Sequence, residues 1–252
     1  MHRKPWYKYT HSNGFRHFKL KLRQLIGTEP RFKKDIELPT QSYPGWVIVP
    51  EVINADDVVY SVGICNDIAF ELGIIEQHYV QLFAFDPTPY SVNWIEQQAL
   101  PSQFHFYPWA AAGNNGSFYL YPRINKRGKV SEAMYTFHSN KEQRDDGVRV
   151  DAYNIESMAK KLGHKNIDLL KMDIEGAEYE VFENLLSSTL RPKQILVEFH
   201  HRFKGIGTTK TVNAVNALHE NGYLIAHISA TGREMCFVYN EALTQNKPSS
   251  SL

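Results

Sequence analysis

Two carboxylates follow a short strand that is expected to be buried, at a position where proteins often place chemistry. The strand is expected over residues 167–172, and Asp173 and Glu175 come directly after it, before Gly176 and a helix expected from Ala177. Open α/β sheets bind ligands at the carboxyl ends of their strands, and neighbouring buried carboxylates need a cation or hydrogen-bond donors to compensate them. The sequence therefore predicts a pocket for a positively charged or hydroxyl-bearing ligand, with Asp173 and Glu175 as candidate catalytic residues.

A second candidate binding element is the turn that opens at Gly63, after a strand expected over residues 58–62. Only the first glycine of a dinucleotide-binding fingerprint is present, and Asp67 stands where the next helix begins. A carboxylate there would repel a pyrophosphate, but it suits a ligand that carries an ammonium and a sulfonium. The position of Asp67 fits a helix N-cap with no other role equally well.

Asp86 ends the second expected strand, 23 positions after Gly63. This is close to the ~20-residue spacing of an acid that binds ribose hydroxyls in nucleotide-binding folds. The alternative is an Asp-Pro turn residue, because Pro87 follows it. We favour the ribose interpretation for Asp86.

His200 and His201 emerge at the carboxyl end of a strand expected over residues 194–199. A histidine titrates near neutral pH, so His200 is a candidate general base, although a loop histidine bonded to the backbone is the commoner role for either residue alone. An acid pair plus histidines could also hold a divalent metal ion. No tight ligand spacing supports that, and no metal is assigned.

Strands and helices alternate from residue 58 onward, which favours a mostly parallel sheet covered on both faces, with one antiparallel strand added by a final hairpin. Residues 116–150 are less regular and fit a hairpin or an insertion. Strands are expected over residues 58–62, 80–85, 104–110, 167–172, 194–199, 223–229 and 235–239, and helices over 68–77, 91–98, 154–162, 177–186 and 208–220.

The charge is unevenly distributed along the 252 residues. Residues 1–34 contain ten Lys or Arg and one acid, whereas the remainder contains 18 basic and 26 acidic residues. We therefore divide the chain into a basic N-terminal arm with an amphipathic helix (residues 1–50), a domain (51–245) and a disordered tail (246–252). Two cysteines and the lack of a leader or spanning segment favour a cytoplasmic protein, either free or peripheral to a membrane.

The helix of the arm has two interpretations. Phe15, Phe18, Leu22, Leu25 and Ile26 fall at helical spacing, with lysines and arginines around them. Such a helix can pack its apolar face on its own domain, or it can lie on an anionic membrane surface. We favour packing on the domain, and without a recognisable reading motif we expect no nucleic-acid partner.

Several of these motifs occur together in one known family. The turn Val62-Gly63, then Asp86, the segment 109–113, the run Lys171-Met172-Asp173-Ile174-Glu175-Gly176-Ala177-Glu178 and the strand 195–200 resemble the FkbM-type S-adenosylmethionine-dependent methyltransferases. The resemblance covers roughly residues 55–240, and the Lys-x-Asp-x-Glu-Gly-Ala-Glu run is its most specific part.

The resemblance implies a class I methyltransferase (Rossmann-like) α/β fold, with a mostly parallel seven-stranded sheet, helices on both faces and a C-terminal antiparallel hairpin strand. It implies S-adenosyl-L-methionine as cofactor at the carboxyl ends of the strands. Asp86 would bind the ribose, and Ala110 or Ala111 the adenine edge. Gly63 and its neighbours would contact the methionine part, and these candidates are Ser61, Asn66, Asp67 and Asp173. Ser61 stands where the family usually has an acid.

The expected function is O-methylation of a hydroxyl on a sugar, glycan or natural-product acceptor. The hydroxyl class comes from the resemblance alone. Methyl transfer from a sulfonium requires alignment of the acceptor, exclusion of water and removal of the hydroxyl proton. The alternatives are a nicotinamide-dependent oxidoreductase, which the missing glycines and Asp67 oppose, and a non-catalytic membrane-peripheral binding protein of the same fold.

Overall fold

The computed structural model describes residues 13–124, 128, 130–136 and 145–245. The first twelve residues of the arm and the tail predicted to be disordered, residues 246–252, lie outside this part. The elements are α1 (Asn13–Leu25), β1 (Gln41–Ser42), β2 (Val47–Ile48), β3 (Val58–Val62), α2 (Ala69–His78), β4 (Gln81–Phe85), α3 (Pro89–Ile95), β5 (Phe104–Tyr107), β6 (Ala110–Ala111), β7 (Gly116–Ile124), β8 (Val130–Thr136), β9 (Val148–Tyr153), α4 (Ile155–Leu162), β10 (Leu169–Met172), α5 (Glu178–Ser187), β11 (Gln194–Glu198), α6 (Thr208–Glu220), β12 (Tyr223–Ile228), β13 (Glu234–Tyr239) and α7 (Asn240–Gln245).

The main sheet has seven strands in the order β12-β13-β11-β10-β3-β4-β5. All neighbours pair in parallel except β13, which is antiparallel to both β11 and β12. The predicted mostly parallel seven-stranded sheet with an antiparallel hairpin strand is therefore confirmed. The chain leaves β3 toward β4 on one side and returns as β10 on the other, so the carboxyl ends of β3 and β10 flank a topological switch point, where such sheets bind ligands.

Helices cover both faces of this sheet because its central strands are buried on both sides. All four residues of β10 are buried, including Lys171. One face packs against α4, α5 and α6, and the other against α2, α3 and the segment that contains Ile48 and Val49. The chain before residue 51 thus contributes side chains to the core.

The irregular segment forms a second sheet in the order β6-β9-β7-β8. The strand expected over residues 104–110 is split, because β5 ends at Tyr107 and β6 pairs with β9 of the second sheet instead. Pro108 has no N–H to continue the ladder. Ala110 and Ala111 are therefore carried away from the main sheet and toward its carboxyl edge.

The arm does not pack as expected. Phe18, Leu22, Leu25 and Ile26 are exposed and Phe15 is half-buried, and the buried residue of α1 is Leu20 instead. The preference for packing the Phe and Leu face on the domain was therefore wrong. In the part of the chain that the structure describes, no helix combines the length and apolarity needed to cross a bilayer.

Glu29 joins the arm to the domain. Its buried carboxylate accepts hydrogen bonds from His201 Nε2 at 2.7 Å and from Arg202 Nε and Nη2 at 3.1 and 2.6 Å. Burial by itself raises the pKa of Glu29, but the hydrogen bonds from His201 and Arg202 outweigh it and lower that pKa from 4.5 to about 2. The carboxylate is therefore bound in its ionised form.

Replacing Glu29 tests this linkage. Because the pKa of Glu29 is lower in the folded chain than its ordinary value, its contribution is complete well above pH 4.5 and is lost as pH falls toward 2. Glu29→Gln should lower the free energy of unfolding by about 3 kcal/mol at pH 7, and by roughly half of that near pH 3. Urea denaturation at both pH values measures this. Glu37→Gln, an exposed carboxylate with the same charge change, should have little effect; equal losses for the two variants would contradict the linkage.

Candidate active site

A cavity of about 220 Å³ opens at the carboxyl ends of β3, β4 and β10. The second sheet supplies its other wall, through Ala110, Ala111, Leu120 and Tyr135. The described residues that line the cavity are Val62, Gly63, Cys65, Phe85, Asp86, Pro87, Thr88, Ala110, Ala111, Leu120, Tyr135, Asp173, Ile174 and Glu175. Three of them are carboxylates, and none is Lys or Arg. The cavity therefore suits a ligand with positive charge and hydroxyl groups better than an anionic one.

Gly63 brings two of the sequence motifs into contact. It has φ +80°, and a Cβ atom at this position would lie 1.9 Å from the carbonyl oxygen of Asp173. The N–H of Gly63 donates to Phe85 O at 2.9 Å, and the N–H of Asp173 donates to Val62 O at 2.9 Å. Only glycine satisfies both the backbone conformation and the close approach at this position.

A buried ion pair supports this turn from below. Lys171 Nζ donates to Gly63 O at 3.0 Å and lies 3.2 Å from Glu71 Oε1. The hydroxyl of Ser61 donates to the same oxygen of Glu71 at 2.5 Å. Ser61, which was expected to contact the cofactor, is fully buried beneath the turn and is absent from the described cavity lining. A lysine within the expected strand 167–172 was the available signal for this pair.

Asp86 is fixed in the cavity wall by three hydrogen bonds. Its Oδ2 accepts from the N–H of Cys65 at 2.9 Å, and its Oδ1 accepts from the N–H and the hydroxyl of Thr88 at 2.9 and 2.7 Å. A carboxylate has about four acceptor sites, so this arrangement holds Asp86 rigidly and leaves capacity for a ligand hydroxyl. Thr88 was not anticipated from the sequence, although the Asp-Pro-Thr-Pro stretch contains it.

Asn66 and Asp67 lie outside the lining of this cavity, contrary to expectation. Both are exposed. Asp67 Oδ1 accepts from the N–H of Ala69, the first residue of α2, at 3.0 Å, and Asn66 Nδ2 donates to the hydroxyl of Tyr90 at 3.1 Å. The N-cap residue of α2 is Ile68, so Asp67 bonds to the helix start from one position before the cap.

Asp173, Glu175 and His200 come together at one side of the cavity. His200 Nε2 lies 3.6 Å from Asp173 Oδ1 and 3.8 Å from Glu175 Oε2. Glu175 reaches this position from a left-handed turn, with φ 52°. Residues from the ends of two adjacent parallel strands, β10 and β11, therefore form one acidic cluster around a buried imidazole.

Glu178 at the start of α5 orients that imidazole. Its Oε1 accepts from the N–H of His200 at 2.7 Å and lies 3.3 Å from His200 Nδ1, while its Oε2 accepts from the N–H of Gly176 at 2.9 Å. Glu178 is fully buried. A carboxylate beside Nδ1 favours a proton on that nitrogen and directs Nε2 toward Asp173 and Glu175. His201, in contrast, turns away from the cavity toward Glu29.

The close packing of these carboxylates around His200 shifts their pKa values and that of the histidine. Burial raises the pKa of Asp173 and of Glu175 above the ordinary values, and burial together with Asp173 raises the pKa of Glu198 to about 7. Burial alone lowers the pKa of His200, but the carboxylates of Glu178, Glu175 and Asp173 outweigh it and raise that pKa above the ordinary histidine value. A cationic ligand in the cavity would relieve this concentration of negative charge.

The second sheet adds a cation that the sequence did not reveal. Arg123 of β7 pairs with Glu175 and lies over the ring of Phe203, with its guanidinium carbon 4.0 Å from the ring centroid. The irregular segment that contains Arg123 showed no pattern from which this contact could be inferred.

One ligand atom from each of Asp173, Glu175 and His200 lies within 4.8 Å of the others, which is close enough for a divalent ion. Arg123 already pairs with Glu175 and would repel such an ion. We therefore keep the cluster without an assigned metal.

The comparisons with known proteins place this site in a family. The model of the methyltransferase FkbM domain matches residues 51–225. Curated proteins give no significant match.

Solved structures give distant likenesses. The complex between the Haloferax volcanii Trm112 methyltransferase activator and a methyltransferase is 10% identical with a TM-score of 0.37, and the match covers 69% of this chain and 65% of that one. Methanococcus jannaschii fibrillarin, a pre-rRNA processing protein, is 7% identical with a TM-score of 0.46 over 84% and 86%. Aeropyrum pernix fibrillarin with natively bound S-adenosyl-L-methionine is 9% identical with a TM-score of 0.39 over 74% and 67%.

The family match spans more than half of the chain and includes the Gly63 turn, Asp86 and the Asp173–Glu178 run. The predicted resemblance is thereby confirmed. The chain belongs to the FkbM methyltransferase family, and S-adenosylmethionine is its cofactor.

Proposed function

We propose that the protein transfers a methyl group from S-adenosylmethionine to a hydroxyl oxygen of a small molecule, such as a sugar, glycan or natural-product acceptor. The observation that supports this proposal is the cluster of Asp173, Glu175 and His200 beside the cavity of a methyltransferase-family protein. A hydroxyl acceptor must lose a proton during transfer, and the cluster provides a group that can take it.

The cavity fits the cofactor by its charge and its donors. When bound, the cofactor supplies an activated methyl group on a positively charged sulfur. Asp86 would bind the ribose hydroxyls, Ala110 or Ala111 would border the adenine, and Asp173 would face the ammonium or the acceptor hydroxyl. The lining carboxylates compensate positive charge, and the absence of Lys and Arg from the described lining opposes the pyrophosphate of a nicotinamide dinucleotide.

His200 is the residue that we assign as general base. His200 is buried behind the described lining, and its Nε2 lies 3.6 Å from Asp173 Oδ1 and 3.8 Å from Glu175 Oε2, which do line the cavity. The neutral imidazole would accept the acceptor proton at this nitrogen. The Glu178 carboxylate, with Oε1 3.3 Å from Nδ1, together with Asp173 and Glu175 would stabilise the imidazolium that forms. The same carboxylates can accept a hydrogen bond from the acceptor hydroxyl and thereby align its oxygen.

The chemical nature of the methylated product tests the proposal. The full chain would be incubated with S-adenosylmethionine that carries a ¹³C-labelled methyl group and with a panel of sugars, oligosaccharides and phenolic natural products. We expect a product whose methyl is an ether, recognised by its carbon chemical shift and by its stability to mild alkali. A methylamine or an alkali-labile methyl ester as the only product would contradict O-methylation.

The Asp86 carboxylate should determine cofactor affinity. Loss of charged hydrogen bonds to ribose in Asp86→Ala should weaken S-adenosylmethionine binding by roughly 1.5–3 kcal/mol, measured by calorimetry. Asp67→Ala removes the same charge just before α2, outside the described cavity lining, and is the matched control. Equal dissociation constants for the parent and Asp86→Ala would contradict ribose binding and would support a role for Asp86 in the turn alone.

The pH dependence of turnover should identify the base. His200 must be neutral to accept a proton, so kcat/KM should fall as pH decreases through its pKa, which lies above the ordinary histidine value. His200→Gln should lower turnover by about 10²-fold or more and remove this limb of the profile. His219→Gln, which changes a histidine on the surface, should retain both the rate and the limb. An unchanged profile in His200→Gln would assign the proton to another group.

A further inference from the structure

One face of α1 carries an apolar stripe that points away from the protein. Phe18, Leu22, Leu25 and Ile26 have exposed fractions of 63%, 49%, 74% and 63%. At about 100° per residue these four side chains fall within a stripe about 100° wide. Large apolar side chains concentrated in this way on a surface indicate an interaction site rather than chance exposure.

The opposite face of α1 holds the helix in place. Leu20 lies on that side and is buried against Gly232, where an added Cβ atom would come 2.6 Å from Leu20 Cδ1. Gln24 Nε2 donates to Pro30 O at 3.0 Å, and Gln24 O accepts from Nη2 of Arg31 at 2.9 Å. The helix is therefore anchored with its apolar stripe outward, and the domain itself does not cover the stripe.

The charges on α1 specify what can cover the stripe. The helix contains Arg16, Lys19, Lys21 and Arg23 and no acidic residue. On the helical projection Lys19 and Lys21 lie on either side of the apolar stripe, where their long aliphatic stems can follow an apolar boundary while the ammonium groups remain in water. A second copy of this helix would bring like charges together.

We propose that α1 is an interfacial helix that binds the surface of an anionic lipid bilayer. Its apolar stripe would enter the boundary between head groups and acyl chains, and its lysines and arginines would contact the anionic head groups. This partner satisfies both the apolar stripe and the flanking positive charge.

The anchor of α1 places this surface next to the candidate active site. Gly232 lies in the turn between β12 and β13, at the same carboxyl edge of the sheet as the cavity. Glu29, just after the helix, binds Arg202 and His201, and His201 adjoins His200. A bilayer bound to α1 would therefore lie beside the edge of the sheet at which the acceptor must enter.

Co-sedimentation of the full chain with lipid vesicles tests the proposal. We expect binding to vesicles of phosphatidylcholine mixed with phosphatidylserine, little binding to phosphatidylcholine alone, and weaker binding in high salt, because the attraction is screened. Leu22→Gln combined with Leu25→Gln should weaken binding about tenfold or more. Lys19→Gln combined with Lys21→Gln should also weaken it and reduce its dependence on salt.

The controls separate this interaction from other causes. Lys160→Gln combined with Lys165→Gln removes two exposed lysines elsewhere and should leave vesicle binding unchanged. All variants keep residues 1–12, and the Leu22 and Leu25 variant should retain the parent melting temperature because both side chains are exposed. Vesicle binding that is indifferent to the Leu22 and Leu25 changes would overturn the proposal. So would a parent dimer, seen by analytical ultracentrifugation, that these two changes dissociate.

Discussion

The site depends on the contact between the turn at Gly63 and the backbone of Asp173. Two adjacent parallel strands end so close together that residue 63 has no room for a side chain. Lys171 and Glu71 fix the turn from below, so the acidic residues after β10 are delivered to the same cavity as Asp86 after β4. Loss of either strand register would separate the ribose-binding candidate from the acidic cluster.

This arrangement concentrates negative charge in a place where water is partly excluded. Burial is the main cause that raises the pKa values of Asp173, Glu175 and Glu198. Burial lowers the pKa of His200, but the surrounding carboxylates outweigh it and raise that pKa as well. Such a cluster is costly in the empty protein and is relieved by a ligand with positive charge. The clustered carboxylates are therefore unfavourable without a ligand, but they attract the positively charged cofactor. The same carboxylates keep the His200 imidazole next to the cofactor.

Much of the fold could be predicted because apolar periodicity reflects burial in a parallel sheet. The bounds expected for β3 and α6 are those observed, and the ends of most other elements differ by a few residues. The division of the expected strand 104–110 at Pro108 was missed because Ala110 continues its apolar pattern. In the structure, Ala110 and Ala111 belong to the second sheet instead. Gly63, Asp86, Asp173 and Glu175 could be placed at one edge of the sheet because each follows an expected strand, whereas Ala110 and Ala111 were placed there by the family resemblance alone.

The remaining contacts depend on tertiary structure that no local pattern encodes. The side chain of Ser61 points into the core and bonds to Glu71. The alternation of side chains along a strand does not show from the sequence whether Ser61 points to Glu71 or to the cavity. Asp67 is equally suited to a cap and to a ligand until the direction of α2 is known. The outward face of α1 was misjudged because an amphipathic pattern identifies the apolar face but does not specify its partner, and here Leu20 on the polar side makes the contact.

The most direct test of the account is the pKa of His200 measured by NMR in three states of the protein. The account places a cationic sulfur close to this imidazole. The pKa should therefore lie above the ordinary histidine value in the free protein, fall when S-adenosylmethionine binds, and fall less with S-adenosylhomocysteine, whose sulfur carries no charge. Equal pKa values with the two bound ligands would contradict the placement of the methyl donor beside His200.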